Sequence, residues 1–277
     1  MRGRDLDKWR ISYKNYYIII VKYGEGEFLE NNYPSIYNYL SLHENKLKNR
    51  GQVKVNQHHW LELDNNPSSK YIDLFKKEKL IYPNIANGIY PVYDNSKFFT
   101  NQKCFIMTSK TINLKYLNGL LASNVSNFIF SLIGSNLGKK GYDINKIFVE
   151  QLPIILDINN EKNVIDKLDN LINFNQQISL YESNIFKYMN DQLNISKLSK
   201  KLEKFYMLSE REFLNEIKKK NKNFDEIKIL KIYNHSKINI ISLLKKIENE
   251  EKELNQYIYK IYNLNGDDIK ILENHIN

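Results

Sequence analysis

Two short stretches place side chains with recognition chemistry at regular intervals. In KLKNRGQVKVNQHH, Lys46, Lys48 and Arg50 gather positive charge, and Gln52, Lys54, Asn56 and His58 follow at every second position. On an extended strand a period of two puts the last four on one face. Gln and Asn can pair bidentately with adenine, and Lys or Arg with guanine, so such a face is suited to reading base edges. The alternative is the solvated face of an amphipathic strand. The second stretch is GSNLGKKGYD at 134–143, where three glycines surround Lys139 and Lys140 and Tyr142 follows. A flexible loop of this kind holds phosphates through ammonium groups and backbone N–H donors. A plain surface loop is its alternative.

The residue types that carry catalysis do not assemble into a motif. YGEGEF at 23–28 has two glycines but lacks the third glycine and the helical continuation of a dinucleotide or phosphate loop, so it is expected to be a hairpin turn. NNPSS at 65–69 departs from an Asn-Pro-Pro-aromatic base pocket at Ser68 and Ser69 and reads as a turn. His58 and His59 are adjacent and would point to opposite faces of a strand, a poor geometry for one metal. DLFKKEK lacks the Pro-Asp partner of a nuclease centre. Cys104 is the single cysteine, which excludes an internal disulfide, and within KCFIM it reads as a small buried hydrophobe. Trp60, beside Leu61 and Leu63, reads as core, and Lys218–Lys220 as a solvated helix face among acids. No catalytic, cofactor-binding or metal-ligating residue is therefore expected.

The elements that must position the two stretches differ between the halves of the chain. Strand-like runs fill the first: YYIIIVKY at 16–23, QVKVNQHHWLEL at 52–63, KLIYPNIA at 79–86, GIYPVYD at 88–94 and KCFIMTS at 103–109. Two helical patterns interrupt them. PSIYNYLSLHENKL has Pro34 suited to a first turn, and NLKYLNGLLASNVSNFIFSLIG carries a stripe of Leu114, Leu117, Leu121, Val125, Phe128 and Leu132. After QLPII at 151–155 the period becomes helical for good. Val164, Leu168, Leu171, Asn175, Ile178 and Ile185 form one seam, and Ile238, Ile241, Leu244, Ile247, Leu254, Ile258 and Ile261 another, as in long helices packed side by side in a bundle or a coiled coil. Ser209 with Glu212 signals a helix start between them. The expected fold class is α+β, with a mixed-sheet domain over 1–155 and a helical spacer or scaffold over 156–277.

The 277 residues are 42% hydrophobic and 13% aromatic, enough for a sizeable core. No apolar run approaches the roughly 20 residues of a bilayer crossing, and the charged start lacks the apolar core of a signal peptide, so a soluble chain of the bacterial cytoplasm is expected. The formal charge is +9, and its distribution is uneven. Residues 1–155 carry 21 Lys and Arg against 13 Asp and Glu, while 156–277 carry 20 against 19. A compositional bias toward Lys would act on both halves alike. The basic first half suggests contact with a polyanion and the balanced second half a scaffold.

Seven segments in order, RGRDLDKW, YPSIYNYLSLHENKLKNRG, HHWLEL, KLIYPNIA, FFTNQKCFIMTS, LKYLNGLLASNVSNFIF and GYDINKIFVEQLPI, make residues 1–155 resemble the TaqI-like C-terminal specificity domain of adenine-N6 DNA methyltransferases and type IIG restriction-modification enzymes. EKELNQYIYKIYNLNGDDIKILE is similar to the segment that closes many type IIG polypeptides. The resemblance implies sequence-specific recognition of duplex DNA, with no catalysis by this chain alone. It also implies a methyltransferase domain or subunit as partner, with S-adenosylmethionine as cofactor and Mg2+ as a further candidate cofactor of the parent enzyme rather than of this chain. The helical part is similar to the spacer helices of type I specificity subunits and is a candidate for self-association. A stand-alone specificity subunit, or a nucleic-acid-binding module without sequence preference, are the other readings.

Overall fold

The strongest β-forming run in the chain, YYIII, is not a strand. In the computed structural model, which describes residues 1–65 and 67–276, the backbone from Ser12 to Lys22 carries no regular secondary structure. Propensity alone does not make a strand without a neighbour to pair with. The described residues divide into two compact units.

The first unit comprises Met1, Tyr13–Lys79 and Asp94–Phe99. A 3-10 turn at Gly26–Phe28 leads into α1 (Leu29–Asn32) and α2 (Pro34–Ser41), with Pro34 in the first turn as expected. PSIYNYLSLHENKL is two helices, because the chain turns at Leu42 and His43 before α3 (Glu44–Lys48). Then come α4 (Gly51–Lys54) and α5 (Ser69–Phe75), the latter capped by Ser68 Oγ accepting from Tyr71 N. Within NNPSS, Asn66 lies outside the described residues. Val21, Leu29 and Leu61 form the core of this unit, with Ile36, Leu40 and Trp60 packed against them. Trp60 is thus a half-buried wall of that core, as its apolar neighbours suggested.

The second unit comprises Arg2–Ser12, Leu80–Tyr93 and Thr100–Asn277. Its antiparallel strands are β1 (Leu6–Asp7), β2 (Arg10–Ile11), β3 (Lys79–Pro83), β4 (Ile85–Ala86), β5 (Val92–Asp94), β6 (Cys104–Met107), β7 (Ser135–Asn136) and β8 (Tyr142–Asp143). They form three small sheets, ordered β1-β2, β5-β3-β6 and β4-β8-β7. The register of β3 on β6 runs from Leu80 opposite Met107 to Pro83 opposite Cys104. Burial pushes the Cys104 thiol up to about 11, so it behaves as the small hydrophobe its setting suggested.

Helices α6 (Leu114–Leu121) and α7 (Asn124–Ile133) replace the single helix expected there. Ser123 breaks the run: its backbone is extended and its Oγ accepts from Ser126 N. The break rotates the stripe, which leaves Leu132 64% exposed. After α8 (Lys146–Val149) comes α9 (Ile158–Leu193), then α10 (Lys200–Glu203), α11 (Glu210–Lys218), α12 (Glu226–Ile261) and α13 (Gly266–Ile276). Ser209 and Glu212 close the expected capping box on α11. Lys218 pairs with Glu226 and Lys219 with Glu216, as a solvated face would.

α9 and α12 lie antiparallel: Lys167 pairs with Glu250 and Glu253, Lys246 lies over Phe174, and Tyr181 meets His235. The α9 seam is buried at Val164, Leu168, Leu171, Ile178 and Ile185, as its spacing predicts. The α12 seam is out of phase in its first half. Ile229, Tyr233, Ile240 and Leu243 are inside, while Ile238, Ile241 and Leu244 face out at 69%, 37% and 38% exposure. The reason is that Tyr233 sets the rotation, stacked on Phe213 at 4.4 Å between ring centroids with its hydroxyl donating to Leu208 O. Two apolar clusters result along the pair, one around Leu168, Leu171 and Leu254, the other around Phe205, Phe213 and Tyr233. The Asn-Gly step near the chain end starts α13: Asn265 Oδ1 accepts from Asp267 and Asp268 N, and Asn265 N donates to Asp268 Oδ2. No helix among the described residues is long and apolar enough to cross a membrane.

Candidate nucleic-acid interface

The expected strand face does not exist, because residues 51–54 form the helical turn α4 and Asn56 takes a left-handed φ of +55°. Two of its four side chains are used internally. Gln52 clasps Asn65, its amide donating to Asn65 Oδ1 at 2.5 Å while its Oε1 accepts from Asn65 N at 2.8 Å. The His58 ring is only 5% exposed and has Nε2 3.0 Å from Asp64 Oδ1. Lys54 and Asn56 remain exposed.

The preceding cations divide in the same way. Arg50 turns inward: its guanidinium donates to Trp60 O and Glu62 O, both at 2.7 Å, and lies 3.3 Å from Asp64. Lys48 pairs with Glu44 at 2.6 Å and lies over the Trp60 ring. Lys46 is exposed and, among the described residues, forms no ion pair. Of the seven residues, Lys46, Lys54 and Asn56 are presented outward, Lys48 is exposed but paired with Glu44, and Arg50, Gln52 and His58 build the platform that carries them.

That platform explains the two glycines of YGEGEF. Glu62 is 2% exposed, and its carboxylate accepts from Gly24 N at 2.7 Å, Gly26 N at 3.2 Å and His59 N at 3.2 Å. Gly24 has φ +80°, and a Cβ on Gly26 would come within 2.4 Å of the His59 ring. The glycines therefore bring N–H donors to a buried carboxylate of the protein, in a 3-10 turn rather than the expected hairpin. Hydrogen bonds to a charged group contribute about 1.5–3 kcal/mol each, which ties residues 24–26 to 59–62.

GSNLGKKGYD is an ordered hairpin rather than a flexible loop. β7 pairs with β8, Asn136 Oδ1 accepts from Gly138 N at 2.7 Å, and Leu137 N donates to Gly141 O at 2.7 Å. Gly141, at φ +91°, lies so close to Ala86 that a Cβ would meet its carbonyl oxygen at 2.4 Å. The hairpin holds Lys139 and Lys140 at its exposed tip. Tyr142 points the other way, edge-on to Phe130, as an anchor.

Sequence reasoning passed over Lys97, Lys103 and Lys110, which are exposed and have no ion pair among the described residues. The available signal was a gap: no acidic residue occurs between Asn95 and Tyr142. Among the described residues no group of three His, Cys, Asp or Glu side chains is placed to hold a metal.

A family model described as the TaqI-like C-terminal specificity domain matches residues 1–154. A second, described as a domain of unknown function, matches residues 157–258. The chain is also similar to the type II methyltransferase M.BstVI of Geobacillus stearothermophilus, at 23% identity over 125 residues, 45% of this chain and 22% of that protein.

Proposed function

Because the chain belongs to the family of TaqI-like C-terminal specificity domains, we propose that it recognises a short duplex DNA sequence as the specificity portion of an adenine-N6 DNA methyltransferase or a type IIG restriction-modification enzyme. The family match over residues 1–154 is the observation that carries this reading. The exposed cations Lys46, Lys54, Lys139 and Lys140 support it, since none has an ion-pair partner among the described residues. In this reading residues 1–155 read DNA and 156–277 act as scaffold. Methyl transfer, with S-adenosylmethionine, belongs to a methyltransferase domain or subunit that this chain serves. A second reading, a separate specificity subunit, is favoured by the outward-facing Ile238, Ile241 and Leu244 of α12, which would seat a partner helix or a second copy.

The test is selection of bound duplexes from a random pool with the full chain. Enrichment of one short sequence is expected, bound more tightly than random DNA, with no methylation or cleavage by the chain alone. Asn56→Ala should then reduce discrimination by about 1–3 kcal/mol at the base it contacts. A pool that shows no enrichment would sink the reading of this chain as a sequence-specific domain.

A further inference from the structure

The segment Tyr17–Ile20 is apolar, carries no regular secondary structure and is unpaired. Among the described residues none of its backbone N–H or C=O groups enters a hydrogen bond. Tyr17 is 86% exposed and Ile18 48%. It lines two open grooves: a larger one of about 550 Å3, with Phe28, Leu29, Tyr33 and Ile36 in its wall, and a smaller one of about 290 Å3, bounded by Tyr13, Phe98 and Phe99. Tyr17, Ile18 and Ile20 line both. An exposed edge with free ladder groups is a template for strand addition, and side pockets beside it select alternate side chains of the added strand.

Charge narrows the occupant. Residues 1–155 are basic as a whole, yet from Tyr23 to Asn45 there are four glutamates, Glu25, Glu27, Glu30 and Glu44, and no Lys or Arg. Glu25 is the charged residue lining the larger groove, on which the selection of the occupant rests, while Lys97 lines the smaller one. Glu27 and Glu30 are exposed on the same turn of chain. Such a face repels phosphates and attracts cations. We propose that this groove docks a protein partner through an extended segment of alternating apolar and basic residues, added as a strand beside Tyr17–Ile20. None of the cations assigned to DNA lines either groove, and the inference does not require that assignment.

The experiment follows backbone amide hydrogen exchange at Ile18–Val21 in the full chain. Three nine-residue probes are added: one alternating Val and Lys, one alternating Val and Glu, and the Val and Lys peptide with a central Pro. Without peptide these amides should exchange as fast as loop amides. The Val and Lys peptide should slow them at least tenfold, and the other two should not. In the Glu27→Lys, Glu30→Lys double variant its binding should weaken at least tenfold. Slow exchange in the free chain, equal protection by all three peptides, or protection by none would overturn the proposal. Protection that grows with protein concentration would assign the edge to a second copy, and protection by duplex DNA to the nucleic acid, and either would also overturn it. DNA binding measured on the same samples keeps that question distinct.

Discussion

Replacing Asp94 by alanine is expected to cost about 3–5 kcal/mol of folding stability, the range for breaking a buried ion pair by removing one partner. Lys79 Nζ lies 2.5 Å from Asp94 Oδ2, with the two side chains 0% and 1% exposed. The ammonium also donates to Phe75 O at 2.8 Å, and the carboxylate accepts from Ser96 N at 2.9 Å and Phe98 N at 3.1 Å. Without Asp94 an ammonium would stay buried with only the carbonyls of Phe75 and Lys77 as acceptors, and two backbone donors would lose theirs. Urea unfolding of the variant measures the loss. The double change Lys79→Met, Asp94→Leu removes both charges and should recover the part of the loss that comes from the unpaired ammonium, while the Ser96 and Phe98 donors stay without their acceptor. An Asp94→Ala protein as stable as the parent would show that the pair is not the anchor its burial indicates.

Removing Lys46, Lys54, Lys139 and Lys140 together, each to alanine, is expected to weaken cognate and random duplex binding in parallel. Each phosphate contact contributes about 0.9 to the slope of log affinity against log salt, so the slope should flatten by roughly 3–4. The measurement is a salt titration with one cognate and one random duplex. Arg50→Ala is the contrast: its guanidinium is engaged with Trp60 O and Glu62 O, so it should lower stability and leave the slope of the folded protein almost unchanged. A flattened slope for Arg50→Ala with no change for the lysines would reverse the division between contact and platform residues.

The helices of the second half were legible because their caps and periods are local. Ser209 and Glu212 mark the start of α11, and the Val164 to Ile185 spacing predicts the buried stripe of α9. The phase of α12 was not legible, since two candidate stripes lie on it and only contact with Phe205 and Phe213 selects the one that includes Tyr233. The strands KLIYPNIA, GIYPVYD and KCFIMTS are present within their expected ranges. YYIIIVKY and QVKVNQHHWLEL are not strands, for different reasons. The first has no neighbour on its backbone. The second is interrupted by the left-handed Asn56 and held by long-range bonds from Arg50, Gln52 and Glu62 that period-two counting cannot see. At the candidate interface the positions of the cations were readable, but which of them are consumed by the fold was not.

The α9–α12 pair carries two apolar clusters, and among the described residues the only hydrophobic side chain packed against both is the partly buried Ile247. Between the buried Leu171 and Ile178 the α9 seam holds Asn175, whose amide turns back to Leu171 O rather than across to α12. The pair is therefore continuous as backbone while its apolar packing is divided in two. The end built on Phe205, Phe213 and Tyr233 is expected to open as its own foldon while the Leu168–Leu254 end stays closed. Amide exchange should accordingly resolve two classes of opening along each helix, meeting near Asn175 and Ile247, and one shared class would mean the junction transmits more than its contacts suggest. Strain applied at one end, by a partner or by a substitution, would then fade at a polar hinge midway instead of reaching the other.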